Sequence, residues 1–183
     1  VGQFYQDGGE HRVGKDLILA NYANLASEKS VGYYEMWGGA LNVTGNSIIG
    51  ASGFSGWFDH YAGTHTTANL ILGRDDGSWG RYELKADTLT IKGSTFIGQS
   101  GEGEFDQAGG EHAVTRYLYL GYSASGAGSY TLSDGILSAG SEYIGNSGTG
   151  TFNQSGGTNT ITNSLILGRY SGSTAVYTLE SGS

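Results

Sequence analysis

The sequence contains no cysteine and no proline, and only nine of its 183 residues are lysine or arginine. Without cysteine there is no disulfide, no iron–sulfur cluster and no thiolate zinc site, an absence neutral as to compartment. Without proline every backbone amide can donate a hydrogen bond, which suits a chain whose amides are nearly all needed in sheet ladders. The few cations are scattered and the net charge is −8, so the clustered basic patch that nucleic acid or an acidic lipid surface requires is missing. No run approaches about 18 consecutive apolar residues, and no basic stretch leads into an apolar core at the N-terminus, so neither membrane insertion nor a signal peptide is read in this segment. Helical periodicity is also lacking: no window keeps apolar residues at i, i+3, i+4 and i+7 for more than a turn.

What is abundant is glycine, 34 residues, without the three-residue period of collagen. It marks a longer rhythm. Two positions after a glycine or its equivalent an aromatic returns about every 24 residues, as Phe4, Tyr34, Phe58, Tyr82, Phe105, Tyr130, Phe152 and Tyr177, alternating Phe and Tyr throughout. Such a column is the signature of one small unit stacked on itself. Coils anchored at Gly2, Gly32, Gly56, Gly80, Gly103, Gly128 and Gly150, with a partial one around Val176, give about seven and a half units in a single repeat domain over residues 1–183. Each holds three short alternating segments bounded by Gly, Asn, Ser or Asp, and the last of them closes on an apolar strand such as Leu70–Gly73 or Leu118–Gly121. None can bury a core alone, whereas coils stacked roughly 4.8 Å apart can. The expected fold is all-β, a parallel β-helix or β-solenoid.

A second regularity overlies the first. Odd coils carry Gln6, His60, Gln107 and Gln154 where even coils carry Met36, Leu84, Leu132 and Leu179. Further on, His11, His65, His112 and Asn159 alternate with Leu41, Leu89 and Leu137. The true repeat is thus a pair of about 47 residues. Either two flavours alternate up one stack of 24-residue coils, or one coil is about 47 residues with the flavours on opposite sides.

The segments IGNSGTGTFNQSGGT from Ile144, IGQSGEGEFDQAGGE from Ile97 and SLILGRYSGSTAVYTLESG from Ser164 resemble the tandem repeats of type V secretion (autotransporter) passengers and PEP-CTERM-associated exported proteins of bacteria. The resemblance spans essentially the whole chain, more loosely in the first two coils. It implies a β-solenoid at the bacterial surface or outside the cell, used as a stalk, adhesin or matrix component.

Candidate chemistry is sparse. His11, His65 and His112 share a column, but neighbours in it would stand about 9.6 Å apart at two sheet spacings, while a zinc ion needs nitrogens about 2 Å away. They are expected to point inward or to a coil corner and to be satisfied by Gln or backbone partners. Arg74, Asp75 and Asp76 sit in one turn, and Glu102, Glu104 and Asp106 alternate along one strand. Both groups read as solvated surface rather than as the paired carboxylates of a polysaccharide lyase or hydrolase. Threonines 64, 66, 88, 90, 158 and 160 suggest an ice-binding array until they are set in columns, where Glu10, Ala40, Glu111 and Ile136 interrupt them. The sequons at Asn42 and Asn153 leave glycan attachment open. No cofactor is expected.

The rhythm breaks once, over Asn21–Val31, where the connection is about five residues longer than its counterparts. Asn21, Tyr22, Asn24, Glu28 and Lys29 are the candidate contact residues of that loop, against the reading of a tolerated surface insertion. The chain starts at Val1 and stops at Ser183 inside a repeat, as expected of a segment of a longer exported polypeptide. Neither terminal coil reads as a cap, and head-to-tail stacking of open sheet edges does not close, so it yields filaments. The expectation is therefore a non-enzymatic extracellular structural protein, fibre-forming or stalk-forming, whose partner is itself. The alternatives are an adhesin-like module that binds surface glycans through its loops, and an enzyme built around Arg74, Asp75 and Asp76.

Overall fold

Short alternating segments separated by glycine-bearing corners become three-walled coils. The computed structural model describes residues 1–21 and 30–183. Its strands are β1 (Gly2–Gln6), β2 (Glu10–Val13), β3 (Leu17–Leu19), β4 (Val31–Met36), β5 (Ala40–Val43), β6 (Asn46–Ile49), β7 (Ser55–His60), β8 (Thr64–Thr67) and β9 (Asn69–Leu72). There follow β10 (Trp79–Leu84), β11 (Thr88–Ile91), β12 (Thr95–Ile97), β13 (Glu102–Leu120), β14 (Ala127–Ile144), β15 (Thr149–Gln154), β16 (Thr158–Leu167) and β17 (Thr174–Leu179). All pairings are parallel. The first wall runs β1–β4–β7–β10 and continues through the start of β13 and β14 to β15 and β17. The second and third walls run from β2 and from β3 in the same way and end on β16.

The register decides the coil length. Gly32 pairs with Gly56, Gly56 with Gly80 and Gly80 with Gly103, and Tyr34, Phe58, Tyr82 and Phe105 follow in the same file. One coil is therefore one unit of about 24 residues, and the two flavours alternate up a single stack. Counted as steps present in all three walls, the solenoid is about six coils tall, from β2–β5 to β14–β16 in the second wall. That is slightly fewer than the seven and a half units read from the aromatic column, because six steps join seven coils and Tyr177 adds only the first-wall strand β17.

Period-two alternation becomes burial. In β4, β7 and β10 every second residue is buried, and the interior of the stack is Tyr34, Met36, Leu41, Phe58, Leu84, Leu89, Phe105 and their equivalents. Glycine serves two positions in most coils, with Ala20 at the first of them in the first coil and Ala175 at the second in the last. At Gly73, φ is +61° and an added Cβ would stand 2.0 Å from the Glu102 carbonyl oxygen; at the inward Gly80 it would stand 1.9 Å from that of Ile49. Any larger residue at Gly80 would force the coils apart.

Candidate functional site

Along the first wall the eight column aromatics form one stack, with neighbouring ring centroids 4.7–5.2 Å apart. Tyr34, Phe58, Tyr82, Phe105, Tyr130 and Phe152 are fully buried in it, while Phe4 at one end is 44 % exposed. Parallel in-register strands set this spacing, because each ring must ride the coil below it.

The tyrosines differ from the phenylalanines by a hydroxyl that must find partners in the interior. Each finds them on the coil before. The Tyr82 hydroxyl lies 2.9 Å from His60 Nδ1 and 3.1 Å from His65 Nδ1. His60 Nε2 is 2.9 Å from the Gly63 carbonyl and His65 Nε2 is 2.9 Å from Ser47 Oγ. A carbonyl only accepts, so His60 carries its proton on Nε2 and its Nδ1 receives the Tyr82 O–H. The Tyr82 oxygen then accepts Nδ1–H of His65, whose bare Nε2 accepts the Ser47 hydroxyl.

The same direction holds one pair of coils further on. The Thr95 hydroxyl donates to His112 Nε2 at 3.1 Å, His112 Nδ1 donates to the Tyr130 oxygen at 3.1 Å, and Tyr130 donates to Gln107 Oε1. The Gln107 amide nitrogen donates onward to the carbonyls of Gly110 and Ile136. At the first pair, His11 donates to Tyr34, Tyr34 to Gln6, and Gln6 to the Ala40 carbonyl. At the last, Asn159 donates to Tyr177 at 3.2 Å and Tyr177 to Gln154 at 3.3 Å.

This arrangement holds His60, His65 and His112 neutral. Burial drives His65 and His112 down to about 3, the positive tendency of His60 adding to the effect at His65, and burial also lowers His60. Burial raises the Tyr82 and Tyr130 phenols well above their ordinary value. The histidines do point inward, but their partners correct the expectation of Gln or backbone acceptors. For His11, His65 and His112 the partners are tyrosine, serine and threonine hydroxyls, whereas His60, outside that column, uses the Gly63 carbonyl beside Tyr82. Each Tyr stands one coil after a Gln or His, so the Phe/Tyr and Gln/Leu alternations are one pattern.

The last pair of coils departs from this rule. Glu142 stands in the file that holds Ser47 and Thr95, and Asn159 in the file of His65 and His112. Asn159 Nδ2 donates to Glu142 Oε2 at 3.2 Å. Glu142 Oε1 and Asn159 Oδ1 are buried without a partner. Burial pushes the Glu142 carboxyl up to about 7, against the lowering effect of the Asn159 bond.

The remaining candidates lie outside. Arg74 pairs with Asp75 at 2.8 Å, and Asp75 also accepts the Ser52 N–H at 2.7 Å, which holds its carboxyl below the ordinary value; Asp76 is exposed. Arg81 joins the acidic strand, 2.7 Å from Asp106 and 3.9 Å from Glu104. Glu102 and Glu104 line an open groove of about 410 Å³ beside Trp79, floored by Gly103 and Gly128. Of the candidate loop, Tyr22, Asn24, Glu28 and Lys29 lie outside the described residues, and Asn21 accepts a hydrogen bond from Ser52 Oγ at 3.2 Å.

The first wall also carries a set of outward residues that the repeat pattern does not single out. Tyr33 stacks on Trp57 at 4.8 Å, Trp57 meets Trp79 at 4.7 Å, and Trp37 lies flat on Tyr61 at 3.9 Å. Between these two aromatic files runs a third, Glu35–Asp59–Glu83–Asp106, in direct coil-to-coil register. Strand parity is the signal that marks Tyr33 and Trp57, whose file continues as Arg81, Trp79 in the neighbouring file of Ser55, and the acidic file, since all have the parity opposite to the buried column.

Compared with known proteins, the chain matches no family model, no curated protein and no solved structure. The resemblance to autotransporter and PEP-CTERM-associated repeats gains no support from these comparisons. The class that the fold defines is a parallel β-solenoid of tandem repeats.

Proposed function

We propose that this chain is an extracellular structural protein, a stalk or fibre element that performs no catalysis. The observation that carries the reading is the continuity of the interior. One aromatic file and a matching Leu/Ile file pass through every coil, with rings 4.7–5.2 Å apart and backbone hydrogen bonds along the axis. A load along that axis is shared by many parallel backbone bonds, and each coil contacts only its neighbours, so length can be extended without a new fold. Further copies that offer a matching strand edge would continue the same ladders, and such a heterologous contact gives filaments.

Electron microscopy of the purified protein over a range of concentrations tests this. Filaments with an axial repeat that is a multiple of roughly 4.8 Å are expected. Short rods at every concentration would overturn self-assembly and leave a stalk segment. A second reading, an adhesin-like module, is favoured by the outward aromatics Tyr33, Trp37, Trp57 and Tyr61. Retention on surface glycans immobilised on beads would support it.

A further inference from the structure

The outward face of β4, β7 and β10 combines two features that a solvated wall does not need together. Its middle file places Glu35, Asp59, Glu83 and Asp106 directly over one another, and like charges in such register repel. With Glu102 and Glu104 there are six carboxylates on this part of the wall against two cations, Arg81 and Lys85. On either side stand flat rings, Tyr33 and Trp57 on one flank, Trp37 and Tyr61 on the other, with Trp37 half exposed.

One rung shows how the repulsion is relieved. Lys85 lays its ammonium 4.3 Å from the Tyr61 ring centre and 3.4 Å from Glu83, and Arg81 bridges Asp106 at 2.7 Å and Glu83 at 3.7 Å. An amine over a ring with a carboxylate beside it is the geometry of a cation–π site. The two rungs below keep the carboxylate but carry rings, Trp57 and Tyr61 and then Tyr33 and Trp37, where this rung has Arg81 and Lys85, and among the described residues neither Glu35 nor Asp59 is ion-paired. Asp59 Oδ1 is withdrawn from solvent and has no hydrogen-bond partner. Arg81 and Lys85 lower the Asp59 carboxyl, yet burial and the neighbouring Glu83 and Glu35 outweigh them and raise it.

We propose that this face docks a basic polypeptide segment whose lysine side chains lie along the Tyr33–Trp57 and Trp37–Tyr61 rings and end on Glu35 and Asp59. Charge complementarity selects a cation, and the flat rings select one with an aliphatic stem, as lysine has. The chain's own Lys85 occupies the next rung in this manner, which favours a side chain of a polypeptide over an amino-bearing glycan. This face lies along the wall and not at its ends, so its occupation is independent of end-to-end assembly.

The test is fluorescence anisotropy of labelled oligolysine with the full chain at low and high salt, beside oligoglutamate and an oligomer of glucosamine. Oligolysine is expected to bind, with an affinity that falls steeply as salt screens the carboxylates. The near-isosteric pair Glu35→Gln and Asp59→Asn, its fold checked by circular dichroism, is expected to weaken binding at least about tenfold. Glu10→Gln on the second wall should leave it unchanged. Absence of oligolysine binding, equal loss in the Glu10 variant, or no loss in the double variant would overturn the site. Tighter binding of the glucosamine oligomer would overturn the polypeptide in favour of an amino-bearing glycan.

Discussion

Glu142 and Asn159 share one hydrogen bond, Nδ2 to Oε2 at 3.2 Å, and it leaves Glu142 Oε1 and Asn159 Oδ1 buried and unpartnered. A proton on Glu142 Oε1 turns an orphaned acceptor into a donor, and Asn159 Oδ1 is the acceptor left over on the paired residue. An acid and an amide satisfy each other in this way, whereas a carboxylate and an amide leave two acceptors facing no donor. The groups that face Glu142 are the phenols of Tyr130 and Tyr177, both raised by burial, and neither offers a positive charge.

The contribution of this group to stability should therefore fall as the pH rises through it. Its folded value of about 7 lies above the ordinary 4.5, so the folded state holds the proton more tightly than the unfolded chain. The contribution is complete below pH 4.5 and is lost between there and about 7, amounting to roughly 3 kcal/mol. Urea titrations of the native sequence and of Glu142→Gln, whose amide cannot ionise, should show the native protein losing stability relative to the variant across that window, a difference in which the opposite contribution of the histidines, common to both proteins, cancels.

Restoring the rule of the repeat should do better than neutralising the exception. Glu142→Thr with Asn159→His recreates the Thr95–His112 pair, whose hydroxyl donates at 3.1 Å to a neutral imidazole. At pH 7.5 the double variant is expected to be more stable than either single variant by about 1 to 2 kcal/mol, because each single change leaves a buried group without its partner. Thermal unfolding of the four proteins at that pH decides it.

The interior histidines act in the opposite sense. With His65 and His112 held down to about 3, against an ordinary 6.5, the unfolded chain takes up protons that the folded chain refuses. Their stabilising effect is present above about pH 6.5 and drains away as the pH falls toward 3. Replacing both members of one pair, His112→Leu with Thr95→Val, should cost little at pH 7, since two polar partners leave together. It should flatten the acid limb of the stability curve, read by denaturation between pH 3 and 7.

Much of this is legible in the sequence for a physical reason. A solenoid repeats one local solution, so Gly56, Gly80 and Gly103 and the rings two residues on are enough to set the unit of about 24 residues, while the choice between one and two units per coil needs the strand register. The polar interior is half legible. His65 and His112 read as inward, but their partners Ser47 and Thr95 lie on the third wall of the preceding coil, 18 and 17 residues away, and belong to no motif. The outward rings leave no periodic trace, because Tyr33, Trp57 and Trp79 are not repeated in later coils, where Ser129 and Thr151 continue the file of Tyr33 and Trp57.

Position in the stack should decide what each ring is worth. Phe105 is fully buried between Tyr82 and Tyr130, with His112 stacked on it at 4.6 Å, whereas Phe4 has a ring on one side along the axis and is 44 % exposed. Phe105→Ala removes contacts on both faces and leaves a cavity that the fixed coil spacing cannot close, so a loss of about 3 to 5 kcal/mol is expected. Phe4→Ala should cost less than half of that, because much of its surface already meets water. Chemical denaturation of the two variants at pH 7 measures the difference. Equal losses would mean that stability resides in the backbone ladders, and a Phe105 loss below about 1 kcal/mol would remove the aromatic file from the account of what holds the coils together.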